Sequence, residues 1–151
     1  MTASQDEIDR LLAYVADQPE QLTDRMGLRL IEVGPGRVVG SLPVSGNRQP
    51  YGLLHGGASC VLVETLGSIA AAVHAGPDKI AVGVDINVTH HRAAADGLLT
   101  GVCTPLHQGS QAATYQVSMT DEQDRRVATG RLTCALLQNR RERDSDRRRS
   151  G

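Results

Sequence analysis

The stretch that decides the fold runs from His55 to Gly76 and reads HGGASCVLVETLGSIAAAVHAG. It is apolar on almost every side, rich in Ala and Gly, and followed by Pro77, so it ends in a helix stop signal. We therefore predict a helix from Gly56 to about His74. A helix that is apolar nearly all round has to be buried, and its small residues allow a strongly curved sheet to enclose it at close range.

Glu64 is the one formally charged side chain between Arg48 and Asp78, and it lies in the middle of this helix. A buried carboxylate costs several kcal/mol unless it is paired or used. Glu64 is therefore either paired with an arginine or the working group of a site, and the residue pattern leaves these two interpretations balanced. Ser68 lies one turn further along the same face, where a carboxylate and a hydroxyl can jointly hold a water molecule. Cys60, one turn before Glu64, has no base or positive neighbour and is expected to fill the core.

Strand-like and turn-like segments surround the helix. A capping-box spacing at Ser4 and Glu7 predicts a short helix over residues 4–17. The strand-like runs lie at 28–33, 37–44, 82–89, 98–104, 112–120 and 127–137. The first two flank a Gly-Pro-Gly turn and predict a hairpin, and the last ones are joined by short connections. This order predicts an α+β fold in which a curved antiparallel sheet wraps the central helix.

Composition limits what the chain can bind. With 151 residues, 40% hydrophobic content and a net charge of -1, it fits one domain without a field that attracts nucleic acid or an anionic membrane. Three Tyr and no Trp or Phe leave no platform for stacking bases. We expect a single domain over residues 1–138, no nucleic-acid or membrane partner, and an Arg-rich disordered tail over residues 139–151.

Targeting and redox signals are weak. The first ten residues are acidic and lack the basic and apolar regions of a signal peptide, so a cytoplasmic location is the default expectation. The three cysteines, Cys60, Cys103 and Cys134, are odd in number and far apart, and we interpret them as small core residues.

The start of the long helix, His55-Gly56-Gly57, is a second candidate site. Its unpaired N–H groups and the positive end of the helix dipole favour a developing oxyanion, although a plain junction capped by His55 fits equally. Gly56 and Glu64 are eight residues apart, about 12 Å along one helix, so they cannot both touch one carbonyl group. If the helix start polarises a carbonyl that Glu64 attacks, the two groups come from different subunits of a homodimer with antiparallel helices.

Polar residues at strand ends are further candidates. His90 and Arg92 share parity with Val84, Ile86 and Val88, so they are expected on the face that packs on the helix, unless they form a solvated strand end. The Gly-Ser loop over 107–111 offers backbone N–H groups and a hydroxyl to a phosphate, or is a bare hairpin loop. A metal site built from His55, His90 and His107 is conceivable, but no ligand spacing supports it and none is expected.

The stretches NRQPYGLLHGGASCVLVETLGSIAA, VGVDINVTHHRAAADG and GVCTPLHQGS together resemble hotdog-fold acyl-CoA thioesterases of the PaaI-like and Arthrobacter-type 4-hydroxybenzoyl-CoA thioesterase group. The resemblance covers about residues 27–137. Within that group the chain most resembles the 1,4-dihydroxy-2-naphthoyl-CoA thioesterases of menaquinone biosynthesis and the enterobactin proofreading thioesterase. The resemblance implies hydrolysis of an aromatic acyl-CoA, favouring 1,4-dihydroxy-2-naphthoyl-CoA, by a homodimer or a tetramer of two dimers, with no cofactor beyond the CoA of the substrate.

Other activities stay open on the same fold. They are hydrolysis of hydroxybenzoyl-CoA or phenylacetyl-CoA, proofreading hydrolysis of acyl groups carried by a carrier protein, and non-catalytic acyl-CoA binding. A hydratase would need an Asp-His pair in a different motif, which the sequence lacks.

The resemblance also implies residue roles. Glu64 matches the catalytic carboxylate, which acts as nucleophile or as general base, and Ser68 matches the hydroxyl that positions water. Gln49 and His55 match the residues that orient the thioester, and the Gly56 N–H matches the amide that polarises its carbonyl. The substrate and CoA contacts are expected at Tyr51, Gly83, His90, His91, Arg92, Ala93, His107, Gln108, Gly109 and Ser110.

Two departures from the family pattern stand out. Tyr51 replaces a Phe and adds a hydroxyl that could read a substituent on an aromatic acyl group. Gln111 replaces an Arg of some relatives and removes a charge from the predicted phosphate loop.

Overall fold

One six-stranded sheet and one long helix account for most of the chain, whose computed structural model describes residues 3–139. The elements are α1 (Gln5–Ala16), α2 (Leu22–Met26), β1 (Arg29–Gly34), β2 (Arg37–Pro43), α3 (Gly56–Ala75), β3 (Lys79–His90), β4 (Leu98–Gln108), β5 (Ala112–Thr120) and β6 (Arg126–Gln138). The Arg-rich tail predicted from residue 139 lies, from residue 140 onward, outside the described residues.

Local sequence signals placed most elements correctly. Helix α3 begins after His55 and ends at Gly76, as its stop signal predicts. The Ser4 hydroxyl accepts a hydrogen bond from the Glu7 N–H while the Glu7 carboxylate accepts from the Ser4 N–H, so the predicted capping box is present. Helix α2 was not predicted. It has five residues, no side-chain cap at its start and no buried residue, so it leaves no periodic signal.

The sheet confirms the predicted α+β class. Its strand order is β1-β2-β4-β5-β6-β3, and every neighbouring pair is antiparallel. Because α3 follows β2 and leads into β3, it carries the chain from one side of the sheet to the opposite edge. On the way α3 contacts all six strands, so the curved sheet wraps it as expected.

Helix α3 is the core of the domain. Ten of its residues are buried, among them Leu62, Val63 and Leu66, which have no exposed surface. Its 20 residues and mean hydropathy of 1.5 would also suit a membrane span by length and composition. Core helices pass the same test, and 56% of this apolar window is buried inside the chain itself. The packing accounts for its apolar character.

Strand β3 departs from the predicted alternation. A β-bulge between Gly83 and Asp85 shifts the register against β6. Before the bulge, Gly83 lies opposite buried Cys134 and faces the helix, while Val84 at the bulge is 63% exposed, so the prediction that Val84 packs on the helix is wrong. After the bulge, His90 lies opposite buried Ala128 and faces the start of α3, as predicted.

The cysteines are core residues in two of three cases. Cys103 and Cys134 have no exposed surface, whereas Cys60 on α3 is only partly buried, so its assignment as core filler was too strong. Burial, followed by the neighbouring Cys134, raises the pKa of the Cys103 thiol to about 12. This thiol stays protonated at neutral pH and is inert as a nucleophile.

The close packing of α3 makes Gly130 on β6 sensitive to substitution. A Cβ at this position would lie 2.3 Å from Val63 Cγ2, inside the packed core. We expect Gly130→Ala to lower the free energy of unfolding by about 1–3 kcal/mol through overpacking. Thermal and urea denaturation followed by circular dichroism would measure the change.

Gly34→Ala on β1 is the matched control, because the nearest heavy atom to its Cβ would be 3.9 Å away. This second variant should stay within about 0.5 kcal/mol of the wild type. If both variants lost the same free energy of unfolding, the close approach of β6 to α3 would not be the cause of the destabilisation in Gly130→Ala.

Candidate functional site

Glu64 lies half-buried in the middle of α3, with a hydroxyl on one side and a glycine on the other. The Ser68 hydroxyl donates a hydrogen bond of 3.3 Å to Glu64 Oε1, as their spacing predicts. A Cβ on Gly83 would lie 2.6 Å from the same oxygen, so a larger residue there would force the carboxylate to move. Among residues 3–139, no ion pair involves Glu64. Within this part of the chain, therefore, no arginine neutralises Glu64.

Cys134 on β6 completes the surroundings of this carboxylate. Burial raises the pKa of its thiol, the charge of Glu64 raises it further, and a hydrogen bond with Ser68 opposes both effects. A neutral thiol thus lies beside the Ser68 hydroxyl on the inner face of the sheet. Glu64 is set among groups that leave its charge uncompensated and available for chemistry.

The start of α3 forms a second group of site residues. His55 is the N-cap of the helix, and its Nδ1 accepts a hydrogen bond of 2.8 Å from the Gly57 N–H. No acceptor within residues 3–139 takes the Gly56 N–H, which stays available to a ligand. The His90 ring lies over this amide, since a Cβ on Gly56 would be 3.2 Å from His90 Cε1.

A cavity of about 410 Å³ opens at this helix start. Its polar wall includes Gln49, Gly56 and His90, and its apolar wall includes Leu54 and Val127. Gly56 therefore borders a cavity with both polar and apolar walls, an arrangement in which its amide suits a thioester carbonyl and the apolar wall suits an acyl group.

The loop before α3 is held by its own hydrogen bonds. The Gln49 N–H donates to the Leu53 carbonyl at 2.8 Å, and the Gln49 side-chain oxygen accepts from the Tyr51 N–H. Tyr51 itself is 89% exposed, so in one chain its side chain lies outside the cavity.

Two neighbouring residues position this loop and were missed by sequence reasoning. Arg48 donates to the carbonyl groups of Gly52 and Ala95 and forms an ion pair of 3.0 Å with Asp96. Asn47 donates through its side chain to backbone carbonyls at the end of α2 and of β2. Each has one partner four residues away, but the partners that tie the loop to the rest of the fold, Met26 for Asn47 and Ala95 and Asp96 for Arg48, are distant in sequence.

His91, Arg92 and Ala93 follow the end of β3 and are exposed at the rim of the cavity. The N–H groups of His91 and Arg92 both donate to the Val127 carbonyl, and the His91 ring lies 3.0 Å from Thr129 Oγ1. The Arg92 guanidinium has no ion-pair partner within residues 3–139, so it can meet an anionic group.

The predicted phosphate loop lies elsewhere, at the C-terminal end of α3. His74 Nε2 is 3.0 Å from the Gly109 carbonyl oxygen, and Lys79 Nζ donates to the Ser110 carbonyl at 2.6 Å. The Gly109 N–H donates to the Ala112 carbonyl and is not available for a phosphate. His107 and Gln108 end β4 with exposed side chains. One chain therefore does not bring this loop to Gly56 or His90.

The three histidines considered as metal ligands are also separated, because His55 and His90 flank the start of α3 and His107 lies near its end. Within residues 3–139, no cluster of three or more His, Cys, Asp or Glu side chains could hold a metal ion.

Comparison with known proteins explains this arrangement. The thioesterase superfamily profile matches residues 51–128, the segment that contains α3 with Gly56, Glu64 and Ser68, and also His90. The chain is 40% identical over 117 residues to the proofreading thioesterase EntH of Cronobacter turicensis, covering 77% of this chain and 85% of the relative.

Solved structures agree with the sequence match. A thioesterase from Haemophilus influenzae aligns with a TM-score of 0.78 and 27% identity, covering 91% of this chain and 93% of the other. A variant of a thioesterase from Pseudomonas aeruginosa, with a glutamine changed to alanine, aligns with a TM-score of 0.80 and 27% identity, covering 91% of this chain and 99% of the other. The chain belongs to the thioesterase superfamily, has its hotdog fold, and is a thioester hydrolase.

Proposed function

We propose that this enzyme hydrolyses aromatic acyl-CoA thioesters, with 1,4-dihydroxy-2-naphthoyl-CoA as its favoured substrate, in the cytoplasm and without a cofactor. The observation that carries the proposal is Glu64, a half-buried carboxylate with a hydroxyl partner and no cation partner among residues 3–139. A carboxylate kept in this state at a stability cost is suited to attack or to deprotonate water. The apolar wall of the cavity beside Gly56, which includes Leu54 and Val127, suits an aromatic acyl group.

The chemistry follows from the two site groups. The Gly56 N–H and the α3 dipole polarise the thioester carbonyl. In the general-base route, Glu64 takes a proton from a water held by Ser68, and the water oxygen bonds to the carbonyl carbon. The C–S bond then breaks, and the proton returns from Glu64 to the leaving thiolate. In the nucleophilic route, Glu64 bonds to the carbonyl carbon, and the C–S bond breaks to release the CoA thiolate. Water then cleaves the resulting anhydride to the free acid and the Glu64 carboxylate, and the proton released from that water passes to the thiolate.

His55 and Gln49 act on the geometry of the site. His55 fixes the start of α3 by accepting from Gly57, so the Gly56 N–H keeps a constant direction. Gln49 lines the cavity next to that amide and is placed to orient the thioester. Arg92 at the rim and the loop from His107 to Ser110 would contact the CoA arm.

The site requires two chains under this proposal. Helix α3 is continuous from Gly56 to Ala75, so Gly56 and Glu64 stay about 12 Å apart within one chain. A second chain with its α3 antiparallel to the first would bring its own Glu64 towards Gly56. The same pairing would bring the distant loop at Gly109 towards the cavity of the partner.

Strand β3 offers the surface for such a dimer. It is an edge strand of 12 residues, and its apolar side chains Val82, Val84 and Ile86 are 43%, 63% and 38% exposed. A long apolar edge with unpaired backbone groups is a template for pairing with another strand. Two β3 strands paired antiparallel would continue the sheet through both chains, and two such dimers would form the expected tetramer.

A second candidate function is proofreading hydrolysis of acyl groups on a carrier protein. The similarity to the EntH proofreading thioesterase supports it. Carrier-linked acyl groups arrive on the same phosphopantetheine arm that ends CoA, so the two candidates share the catalytic groups and differ in what lies outside the cavity.

The substrate proposal predicts a rate order. We expect kcat/KM to be highest for 1,4-dihydroxy-2-naphthoyl-CoA in a panel with benzoyl-, phenylacetyl- and fatty acyl-CoA, because a bicyclic acyl group fills the apolar cavity best. Release of CoA measured with a thiol reagent gives the rates. Faster hydrolysis of an aroyl group on a carrier protein than of the same group on CoA would favour the second candidate function. If none of these substrates released a thiol, the protein would be a non-catalytic acyl-CoA binder.

Glu64→Gln should abolish most of the activity. The amide cannot attack or accept a proton, so we expect kcat to fall by about 10²–10⁴-fold while CoA binding and the thermal midpoint stay near those of the wild type. Glu32→Gln is the matched control, since Glu32 lies exposed on β1 in a surface ion pair. Near-normal turnover by Glu64→Gln would remove Glu64 from the mechanism.

A shared site predicts complementation between two inactive variants. Glu64→Gln and Gln49→Ala chains, mixed by co-refolding in equal amounts, should recover about a quarter of the wild-type activity. Half of the dimers that form are hybrids. When the Gln49 and the Glu64 of one site come from different chains, each hybrid has one of its two sites free of both changes, which is a quarter of all sites. If both residues of a site came from one chain, every hybrid site would carry a change and the mixture would stay inactive.

A further inference from the structure

Ser59 combines full burial with a hydroxyl that has no partner. It lies in the first turn of α3 and has 0% exposed surface. Its Oγ is the one buried side-chain oxygen or nitrogen without a hydrogen bond in the described part of the chain. Leaving a buried hydroxyl unpaired costs about 1–3 kcal/mol, which an alanine at the same position would avoid. A hydroxyl kept at this cost points to a partner outside the chain.

The cavity at the start of α3 is where that partner can lie. Ser59 lines this cavity of about 410 Å³ together with Gly56, Leu54 and Val127. Ser59 is three residues after Gly56, so the two share a helix face and lie about 4.5 Å apart along the axis. Because Ser59 has no exposed surface, its hydroxyl would meet a ligand in the cavity by rotation about the one side-chain torsion that carries the oxygen.

We propose that Ser59 recognises a hydroxyl group on the aromatic ring carbon ortho to the thioester carbonyl. Ser59 is then a specificity-determining residue for ortho-hydroxylated aroyl thioesters. This inference rests on the proposed function, in which the Gly56 N–H holds the carbonyl oxygen. An ortho hydroxyl lies beside that carbonyl oxygen. When the ring is bound, this hydroxyl is one helix turn or less from Gly56, so it can form a hydrogen bond with Ser59 Oγ. A meta or para hydroxyl points further into the apolar wall.

A hydrogen bond between Ser59 and the substrate lets the site distinguish acyl groups with an ortho hydroxyl from those without one, which the shape of the cavity alone does not do. An acyl group that lacks the ortho hydroxyl leaves Ser59 unpaired in the bound state as well, so it forgoes the hydrogen bond. Sites that hydrogen-bond a substrate hydroxyl reject the analogue without it far more strongly than apolar pockets distinguish a methylene group.

The test compares substrates within each variant. The ratio of kcat/KM for 2-hydroxybenzoyl-CoA to that for benzoyl-CoA should be about tenfold lower in Ser59→Ala than in the wild type, and the ratio for 4-hydroxybenzoyl-CoA to benzoyl-CoA should be unchanged. Ser118→Ala is the control variant, because Ser118 lies half-buried on β5 and does not line the cavity. Both of its ratios should equal those of the wild type.

Stability separates recognition from a structural role. If the hydroxyl has no partner in the free enzyme, Ser59→Ala should have a thermal midpoint at or above that of the wild type. A bond from Ser59 to the His55 carbonyl one turn back would instead make the variant less stable and leave the ortho ratio unchanged, and this result would overturn the proposal. Failure of the wild type to hydrolyse any of the three substrates would contradict the proposed function itself, whereas hydrolysis with an unchanged ratio would contradict only the role of Ser59.

Discussion

The close approach of the sheet to α3 is the constraint on which the rest of the structure depends. Four of the six strands present glycine to the helix. A Cβ at Gly40 or Gly101 would lie 2.8 Å from Leu66, and one at Gly130 would lie 2.3 Å from Val63. The fourth such crossing, at Gly83, faces a carboxylate instead of an apolar side chain. The packing that makes the core therefore also makes the catalytic group's surroundings.

The position of Glu64 beneath an edge strand explains how the fold tolerates it. Gly83 belongs to β3, the last strand of the sheet, so the carboxylate is covered by glycine on one side and stays half-buried. Beneath an inner strand, where Val63 and Leu66 lie, the same charge would lose all contact with water and cost far more. The Ser68 hydroxyl supplies one hydrogen bond and no neutralising charge. The fold thus accommodates a carboxylate within its central helix at moderate cost.

Sequence reasoning succeeded where the signal is local. The limits of α3, the first hairpin and the capping box follow from periodicity and stop signals within a few residues. The bulge at Gly83 did not, because Val82, Val84, Ile86 and Val88 alternate with more polar residues without a break and predict one continuous face. The extra residue changes the inward-facing set within the strand, and no local signal marks it.

The site shows the same division between local and distant information. The Glu64 to Ser68 pair and the His55 cap are set by helix spacing and could be predicted. Whether an arginine neutralises Glu64 depends on contacts that spacing does not encode, so the sequence pattern left it balanced. Arg48 illustrates the difficulty, because its partners Ala95 and Asp96 are 47 and 48 residues away and identify it as a support of the loop only once the chain is folded.

The stiffness of α3 has a final consequence for catalysis. One helix carries both the amide that suits a carbonyl and the carboxylate that suits its attack, and a continuous helix cannot shorten the distance between them. Side-chain rotation does not close a gap of about 12 Å, since a glutamate reaches about half of that. A hinge within α3 would break the packing against all six strands. The proposed dimer removes the conflict without moving the helix, because it brings in a second carboxylate instead. The exposed apolar edge of β3, otherwise an aggregation hazard, is then the surface on which the active site is completed.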